Sequence, residues 1–407
     1  MRVLLVHNRY RSESPSGENA VVDDESRLLA AAGCTVERLE VDSDDIAGWS
    51  AQKKATLPLR AVWSRDGRRL VHDAIDKFRP DVVHFHNTFP LLSPAAIRTA
   101  HQCGVGVVLT LHNFRSLCPS GMFLRDGRIC ESCLGRVPIP AVRHGCYRGS
   151  VAATVPVATM NVVHRGLGTW HHCVDRLVCP SEFTRGKYLE AGWPADRLVV
   201  KPNTAKDAGL IRRGPGNGFL YLGRLSEGKG VEGLIMAWRH AFPVGEQRLT
   251  IAGSGELDAD LRAAAAGAAG VTFVGRVDRE TASKLLAEAR ALVVPSTSYE
   301  VFPRTIVEGC AAGTAIIGSR LGAIPEIVEH ETMGLLVEPN SLDDLASALK
   351  RLAASDELAI ALGAGARQAY ETRFGPAVTT ARLLDIYHDA VAARSSAPAG
   401  APELVAG

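Results

Sequence analysis

Ala291-Leu292-Val293-Val294-Pro295-Ser296-Thr297-Ser298-Tyr299-Glu300-Val301-Phe302-Pro303-Arg304-Thr305-Ile306-Val307-Glu308-Gly309 is the stretch that decides the fold. Ala291 to Val294 is an apolar run of the length of a buried strand, and Thr305 to Ala312 has helical spacing with small residues on one face. Glu300 therefore falls in a strand-to-helix turn and Glu308 further along the helix. In open α/β sheets the carboxyl edge of the strands is where ligands bind. A helix start offers free N–H groups and a positive dipole end to phosphate. Carboxylates accept without donating, which suits sugar hydroxyls. The pair points to a ligand with both sugar and phosphate; taken alone it reads equally well as two solvated helix glutamates.

The flanking sequence repeats the strand-turn-helix pattern. Phe219–Leu222 runs into Gly223-Arg224, with Lys229-Gly230 following, and planar guanidinium and point-like ammonium groups are both phosphate binders. Leu249–Ala252 runs into Gly253-Ser254-Gly255-Glu256, and Val271–Val274 into Gly275-Arg276 and a helix over Asp278–Arg290. Gly322 to Val328 and Gly334 to Val337 come after the glutamates. The first half alternates in the same way, with strands expected at Arg2–Val6, Thr35–Val41, Asp81–Phe85, Val107–Leu111, Arg176–Cys179 and Leu198–Lys201. This is the α/β pattern of doubly wound parallel sheets, and 407 residues suffice for two domains. The hinge is expected in Lys201–Gly216, and no internal repeat is visible.

In this order the pieces resemble the retaining glycosyltransferases of family 4, which have the GT-B fold: two Rossmann-like, doubly wound parallel-sheet domains facing across a cleft. The resemblance covers nearly the whole chain and is strongest over 219–340. It implies an N-terminal acceptor-side domain over 1–204, a nucleotide-sugar-binding domain over 205–375, a C-terminal helix over 376–394 that crosses back to the first domain, and a disordered tail over 395–407. It further implies that Arg224 and Lys229 hold the donor diphosphate and stabilise the leaving group. Glu308 would accept hydrogen bonds from the ribose, and Glu300 with the N–H groups of Val301 and Phe302 would hold the donor sugar. Many family members have Gly where Pro303 stands and Pro where Ala315 stands; Pro303 removes one N–H donor.

Across the cleft, Gly17 permits close approach of backbone to a diphosphate, or is a plain turn glycine. Glu18 beside it, and His86 and Asn87 at a strand end, are acceptor-side candidates; Asn8 and Tyr10 are weaker ones. His112 ends a strand and is expected to point into the cleft, where relatives carry a His near the reacting sugar. There it would polarise a donor hydroxyl or the leaving phosphate, the bland reading being a structural histidine. Asn203 is placed near the hinge and the donor.

The expected reaction is transfer of a hexose-type sugar from a nucleoside-diphosphate sugar to a hydroxyl of a saccharide, lipid-linked or metabolite acceptor. Front-face attack is expected, because no carboxylate is evident on the opposite face as a nucleophile. No catalytic metal or other catalytic cofactor is expected. Asp42-Ser43-Asp44 reads as a polar loop and Asp258-Ala259-Asp260 as a helix first turn, with Arg224 and Lys229 already supplying positive charge. A sugar-nucleotide 2-epimerase or a phosphorylase is the alternative on this fold, and a non-catalytic sugar-nucleotide-binding protein the alternative of another class.

The net charge of +2 divides into +6 over residues 1–205 and −4 over 206–407. Part of the excess lies in Lys53–Arg79, a candidate peripheral contact with anionic lipid that reads better as a solvated helix face, since Asp66, Asp73 and Asp76 are interspersed. No basic stripe interleaves with aromatics, so nucleic acid is not an expected partner. With no span of membrane length and no signal-peptide pattern at Met1–Val6, a cytoplasmic setting is expected, extending to the inner face of the membrane. Cys118, Cys130, Cys133 and Cys146 have the spacing Cys-x11-Cys-x2-Cys-x12-Cys within a Gly- and Pro-rich segment, 114–150. The spacing suits a structural zinc site, with His144 as a substitute ligand; reduced thiols or a disulfide pair are the other readings.

Overall fold

The computed structural model describes residues 1–12 and 17–395. Ser395 closes a helix, and the rest of the tail expected to be disordered, 396–407, lies outside the described residues.

Two six-stranded parallel sheets organise the chain. The first contains β1 (Arg2–Arg9), β2 (Thr35–Asp42), β3 (Val82–Asn87), β4 (Gly106–Thr110), β5 (Arg176–Cys179) and β6 (Leu198–Val200) in the order β2-β1-β3-β4-β5-β6. The second contains β7 (Phe219–Leu222), β8 (Leu249–Ala252), β9 (Val271–Gly275), β10 (Ala291–Val294), β11 (Ala315–Ser319) and β12 (Gly334–Val337) in the order β9-β8-β7-β10-β11-β12. Strands covered on both faces read as continuous apolar runs, which is why they were visible in the sequence. The order in which strands are added reverses between β1 and β3 in one sheet and between β7 and β10 in the other. Such switch points open a crevice at the strands' carboxyl ends.

Four helices matter for the cleft: α1 (Gly17–Ala31), α2 (Glu182–Glu190), α3 (Arg304–Ala312) and α4 (Pro376–Ser395). The last packs on the first sheet, where Leu383, Ile386, Tyr387 and Ala390 are buried with Val3, Leu5, Val82, Val108 and Val178. Gly106 makes room for this, since a Cβ there would stand 3.3 Å from the Ala390 backbone. Each such buried aliphatic side chain contributes about 1.5–3 kcal/mol, so α4 is held by its own packing.

The Lys201–Gly216 connection is bolted to the second domain. Arg212 donates to the carbonyls of Gly313 (3.0 Å) and Pro215 (2.7 Å), and its N–H bonds Ala312 (2.8 Å). Arg65, Arg69, Lys77 and Arg79 are exposed, but Asp66 pairs with Arg60 and Asp76 with Arg79, as a solvated face requires. Among the described residues no helix is long and apolar enough to cross a membrane.

Candidate active site

The second sheet's switch point is locked by backbone contacts that only glycine permits. Gly228 accepts from the N–H groups of Thr297 (2.9 Å) and Ser298 (3.2 Å), which ties the Lys229 turn to the chain leaving β10. Gly230 has φ +70°, and a Cβ there would lie 1.9 Å from the Pro295 carbonyl oxygen. Beside it, Cβ atoms at Gly253 and Gly255 would stand 1.8 and 2.1 Å from the carbonyl oxygens of Gly223 and Leu225.

This frame brings Lys229 and Glu300 together, Nζ to Oε1 at 2.7 Å, and Ser296 Oγ donates to the same oxygen at 2.8 Å. Glu300 is mostly covered and Lys229 about one-third exposed (13% and 34%), so the ammonium remains open to a ligand. Val301 turns its carbonyl to the first domain, accepting from Ser181 Oγ (2.9 Å) and Thr184 Oγ1 (3.3 Å) at the start of α2. Pro303 precedes α3 with no side-chain cap, and Glu308 lies one turn in, paired with Arg304 at 3.0 Å. Burial raises the Glu308 pKa, with the adjacent Arg304 opposing.

A cleft of about 1250 Å³ opens between the domains, lined by Gly17, Arg224, Gly253, Arg276, Arg304 and Glu308 among others. Pockets of ~300–1,000 Å³ hold drug-sized ligands, so a nucleotide with an attached sugar fits. Lys229, Glu300, Val301, Phe302, His112 and Asn203 do not line it. Of the donor-site residues expected from the sequence, Gly17, Arg224 and Glu308 line this cavity. Asn203 is buried and its Oδ1 has no partner.

On the opposite side, Gly17 opens α1 and not a preceding turn, with nothing within 4 Å of a Cβ placed on it. Close backbone packing therefore does not explain the glycine. Glu18 accepts from Tyr10 Oη (3.1 Å) and Asn113 Nδ2 (2.9 Å). Its pKa is raised by burial, with Asn113, Arg115, Tyr10 and Arg224 opposing, so charges from both domains act on this carboxyl. Arg115 lies over the rings of Phe89 (4.6 Å) and Tyr147 (5.7 Å). Asn113 and Arg115 went unnoticed in the sequence; their only signal was position directly after His112.

His86 and Asn87, the acceptor-side candidates at a strand end, belong to β3, which flanks the switch point and is buried along its whole length. His86 Nδ1 is 2.9 Å from His112 Nε2, and the two rings stack. Asn87 donates to the carbonyls of Asn8 (2.8 Å) and Phe89 (3.1 Å), fixing the loop that follows. His112 itself is half-buried; burial lowers its pKa to about 3, leaving the imidazole neutral at ordinary pH.

Asp24, which the sequence did not single out, joins the two domains. Its nearly inaccessible carboxylate pairs with Arg304 (2.5 Å) and Arg279 (3.4 Å) of the second domain and with Arg27 (3.0 Å) of its own helix. Arg304 thereby holds Asp24 and Glu308 at once. Glu326 adds a second bridge, accepting from the N–H groups of Glu182 (2.7 Å) and Phe183 (3.1 Å) at the start of α2.

The cysteine-rich segment folds as a two-residue-by-two-residue hairpin (Leu124–Arg125 with Arg128–Ile129) and a short helix, Ile139–Arg143. Its four thiols are electrostatic neighbours, and none is in a disulfide. Cys130 Sγ donates to Ser132 Oγ at 3.4 Å, and burial raises the Cys133 pKa to about 11 with the Ala141 backbone opposing. Among the described residues no three of these sulfurs lie within 4.8 Å of one another, a wider spacing than a closed tetrahedral site. The hairpin also reaches the donor side: a Cβ on Gly228 would meet Leu124 at 3.0 Å.

Family models agree with this architecture. Residues 2–204 match "Glycosyl transferase 4-like domain" and residues 216–355 match "Glycosyl transferases group 1". The solved structure of HepE from Anabaena in complex with UDP-glucose superposes with a TM-score of 0.63 at 17% identity, covering 95% of this chain and 98% of that one. The architecture is the two-domain GT-B fold. The chain belongs to the family 4-like glycosyltransferases. It is 28% identical to the D-inositol 3-phosphate glycosyltransferase of Pseudarthrobacter chlorophenolicus over 96% of this chain and 95% of that protein. An uncharacterized glycosyltransferase of Methanocaldococcus jannaschii is 36% identical, over 33% of this chain and 35% of its own length. That match spans about a third of each protein.

Asp24→Asn removes one of the two carboxylates on the buried Arg304 and leaves it Glu308 alone. Breaking a buried pair costs about 3–5 kcal/mol, so the urea-unfolding free energy is expected to fall by about 3 kcal/mol. A change within about 0.5 kcal/mol, the range of ordinary surface substitutions, would show that the bridge contributes nothing.

Proposed function

We propose that this glycosyltransferase moves a hexose-type sugar from a nucleoside-diphosphate donor to an acceptor hydroxyl with retention of configuration and without a catalytic metal. The observation that carries the reading is the Lys229–Glu300 pair at the switch point, beside a cleft presenting Arg224 and Glu308. A donor diphosphate competes with Glu300 for the Lys229 ammonium. Once released, Glu300 is an acceptor-only group free to hold sugar hydroxyls, with Ser296 keeping its orientation. Glu308 takes the ribose hydroxyls, and Arg224 with Lys229 stabilises the charge that builds on the leaving phosphate. The Val301 and Phe302 N–H groups stand at the sugar. HepE in complex with UDP-glucose supports a donor of this class.

In the front-face course the acceptor hydroxyl enters on the side from which the diphosphate leaves, and its proton passes to the leaving phosphate oxygen. The protein positions and stabilises. Glu18, held by Tyr10 and Asn113, is the acceptor-side carboxylate, with Arg115 next to it. A lipid-linked acceptor would be met at the face carrying exposed Lys53, Lys54, Arg69 and Leu59, against the inner surface of the membrane.

Transfer from a sugar-nucleotide panel to simple saccharide acceptors, followed by NMR of the product, tests the reading. An axial-to-axial or equatorial-to-equatorial outcome is expected. Glu300→Gln is expected to lower kcat by about 10²-fold or more, the scale of losing one transition-state contact, while donor affinity changes far less. Inversion, or an unchanged kcat, would contradict it.

In this reading Cys118, Cys130, Cys133 and Cys146 would hold one structural zinc ion as thiolates. Metal analysis of the purified protein is expected to give one zinc per chain, falling toward zero in Cys130→Ser/Cys133→Ser. Absence of zinc from protein prepared with zinc present would assign these residues as plain thiols.

A further inference from the structure

Beneath the first sheet's switch point lies a buried polar cluster that the transfer reaction does not use directly. Glu25 of α1 forms an ion pair with Lys201, both side chains nearly inaccessible. Its other oxygen, Oε2, is 3.6 Å from His86 Nε2 and 3.9 Å from His84 Nδ1. Glu25 Oε2 and His86 Nε2 are both buried without a hydrogen-bond partner.

Glu25, His84 and His86 have ligand atoms close enough for a metal ion. Two observations argue against one. His84 already uses both ring nitrogens, on Tyr387 Oη and Thr110 Oγ1, each at 2.7 Å. The Lys201 ammonium also occupies the carboxylate and would repel a cation. The cluster is better described by where its protons lie.

Burial opposes the charge of Glu25, but Lys201, together with His84, outweighs it, and the carboxyl pKa is lowered. His86 is neutral: burial lowers its pKa well below the usual value, and His112, His7, Lys201 and Arg38 act in the same direction. His7 directs one nitrogen to Asn19 Oδ1 at 2.8 Å and does not bond to this chain of groups. A neutral imidazole carries one proton, on one of two nitrogens. Facing a carboxylate, His86 Nε2 is stabilised as N–H and strongly disfavoured as a bare lone pair. Its Nδ1 is then an acceptor, and the 2.9 Å contact requires the proton on His112 Nε2.

We propose that Glu25 and His86 are positioning residues that fix the tautomer of His112, so that His112 keeps its Nε2 proton on the His86 contact and leaves Nδ1 as a bare acceptor. This rests on the reading of His112 as a group at the donor sugar. A bare nitrogen accepts from a hydroxyl and is refused by a phosphate oxygen, which has no proton to give. Of the two roles open to His112 in the sequence, the hydroxyl contact is the one this proton arrangement permits.

The test is the ¹⁵N NMR signature of His112 in full-length protein labelled at histidine, assigned with His112→Gln. A protonated-type shift at Nε2 and a bare-nitrogen shift at Nδ1 are expected between pH 6 and 8, and the reverse pattern would overturn the proposal. Glu25→Gln and His86→Phe are expected to release the constraint, giving mixed tautomers and a kcat/KM lowered about tenfold, the scale of one hydrogen bond. Because Glu25→Gln leaves Lys201 buried and unpaired, His86→Phe is the safeguard if that variant fails to fold. A folded His86→Phe whose His112 keeps the wild-type pattern would overturn the proposal. UDP-glucose is expected to displace the Nδ1 signal, and UDP alone not; equal displacement by both would assign His112 to phosphate and overturn the hydroxyl contact. If calorimetry finds neither ligand bound, the donor reading fails, and the tautomer pattern alone still decides the roles of Glu25 and His86.

Discussion

The tie between the Gly228–Gly230 turn and the chain leaving β10 is the constraint on which the site depends. Two N–H groups on the Gly228 carbonyl and one obligatory glycine, Gly230, hold the ends of β7 and β10 in a fixed relation. Lys229 stands on one side of the tie and Glu300 on the other, so their 2.7 Å contact follows from backbone geometry and not from two flexible side chains meeting by chance. Pre-set groups lose little freedom when charge develops, and catalysis by positioning needs that economy.

The second organising feature is electrostatic and joins the domains. The first half of the chain is net positive and the second net negative, yet the bridge itself reverses that sense. A carboxylate from the first domain, Asp24, meets arginines from the second. Because Arg304 also touches Glu308, the bridge and the ribose-binding candidate share one guanidinium. Changes in domain spacing are therefore felt at Glu308. Val301 and Glu326 tie the second domain to α2 in the same way.

Legibility in the sequence followed physical locality. Glu300 and Glu308 were readable because a buried parallel strand is a continuous apolar run and the turn after it is short. Arg224 and Lys229 were readable for the same reason. The burial of His86 and Asn87 was not readable, because whether a side chain at a strand's carboxyl end is covered by its neighbours is not written in the chain. Asp24 was missed because its partner Arg304 is 280 residues away, and Asn113 because its partner Glu18 is 95 residues away.

The central claim is that Lys229 and Glu308 belong to one nucleotide-sugar site, although Glu308 lines the cavity and Lys229 does not. Isothermal titration of the wild-type protein with UDP-, GDP-, dTDP- and ADP-sugars, repeated with Lys229→Ala and Glu308→Ala, tests it most directly. The account predicts selective binding of one nucleotide class, weakened about tenfold or more in both variants, which is the loss of one charge-assisted contact of about 1.5–3 kcal/mol. Undiminished affinity in both variants would contradict it.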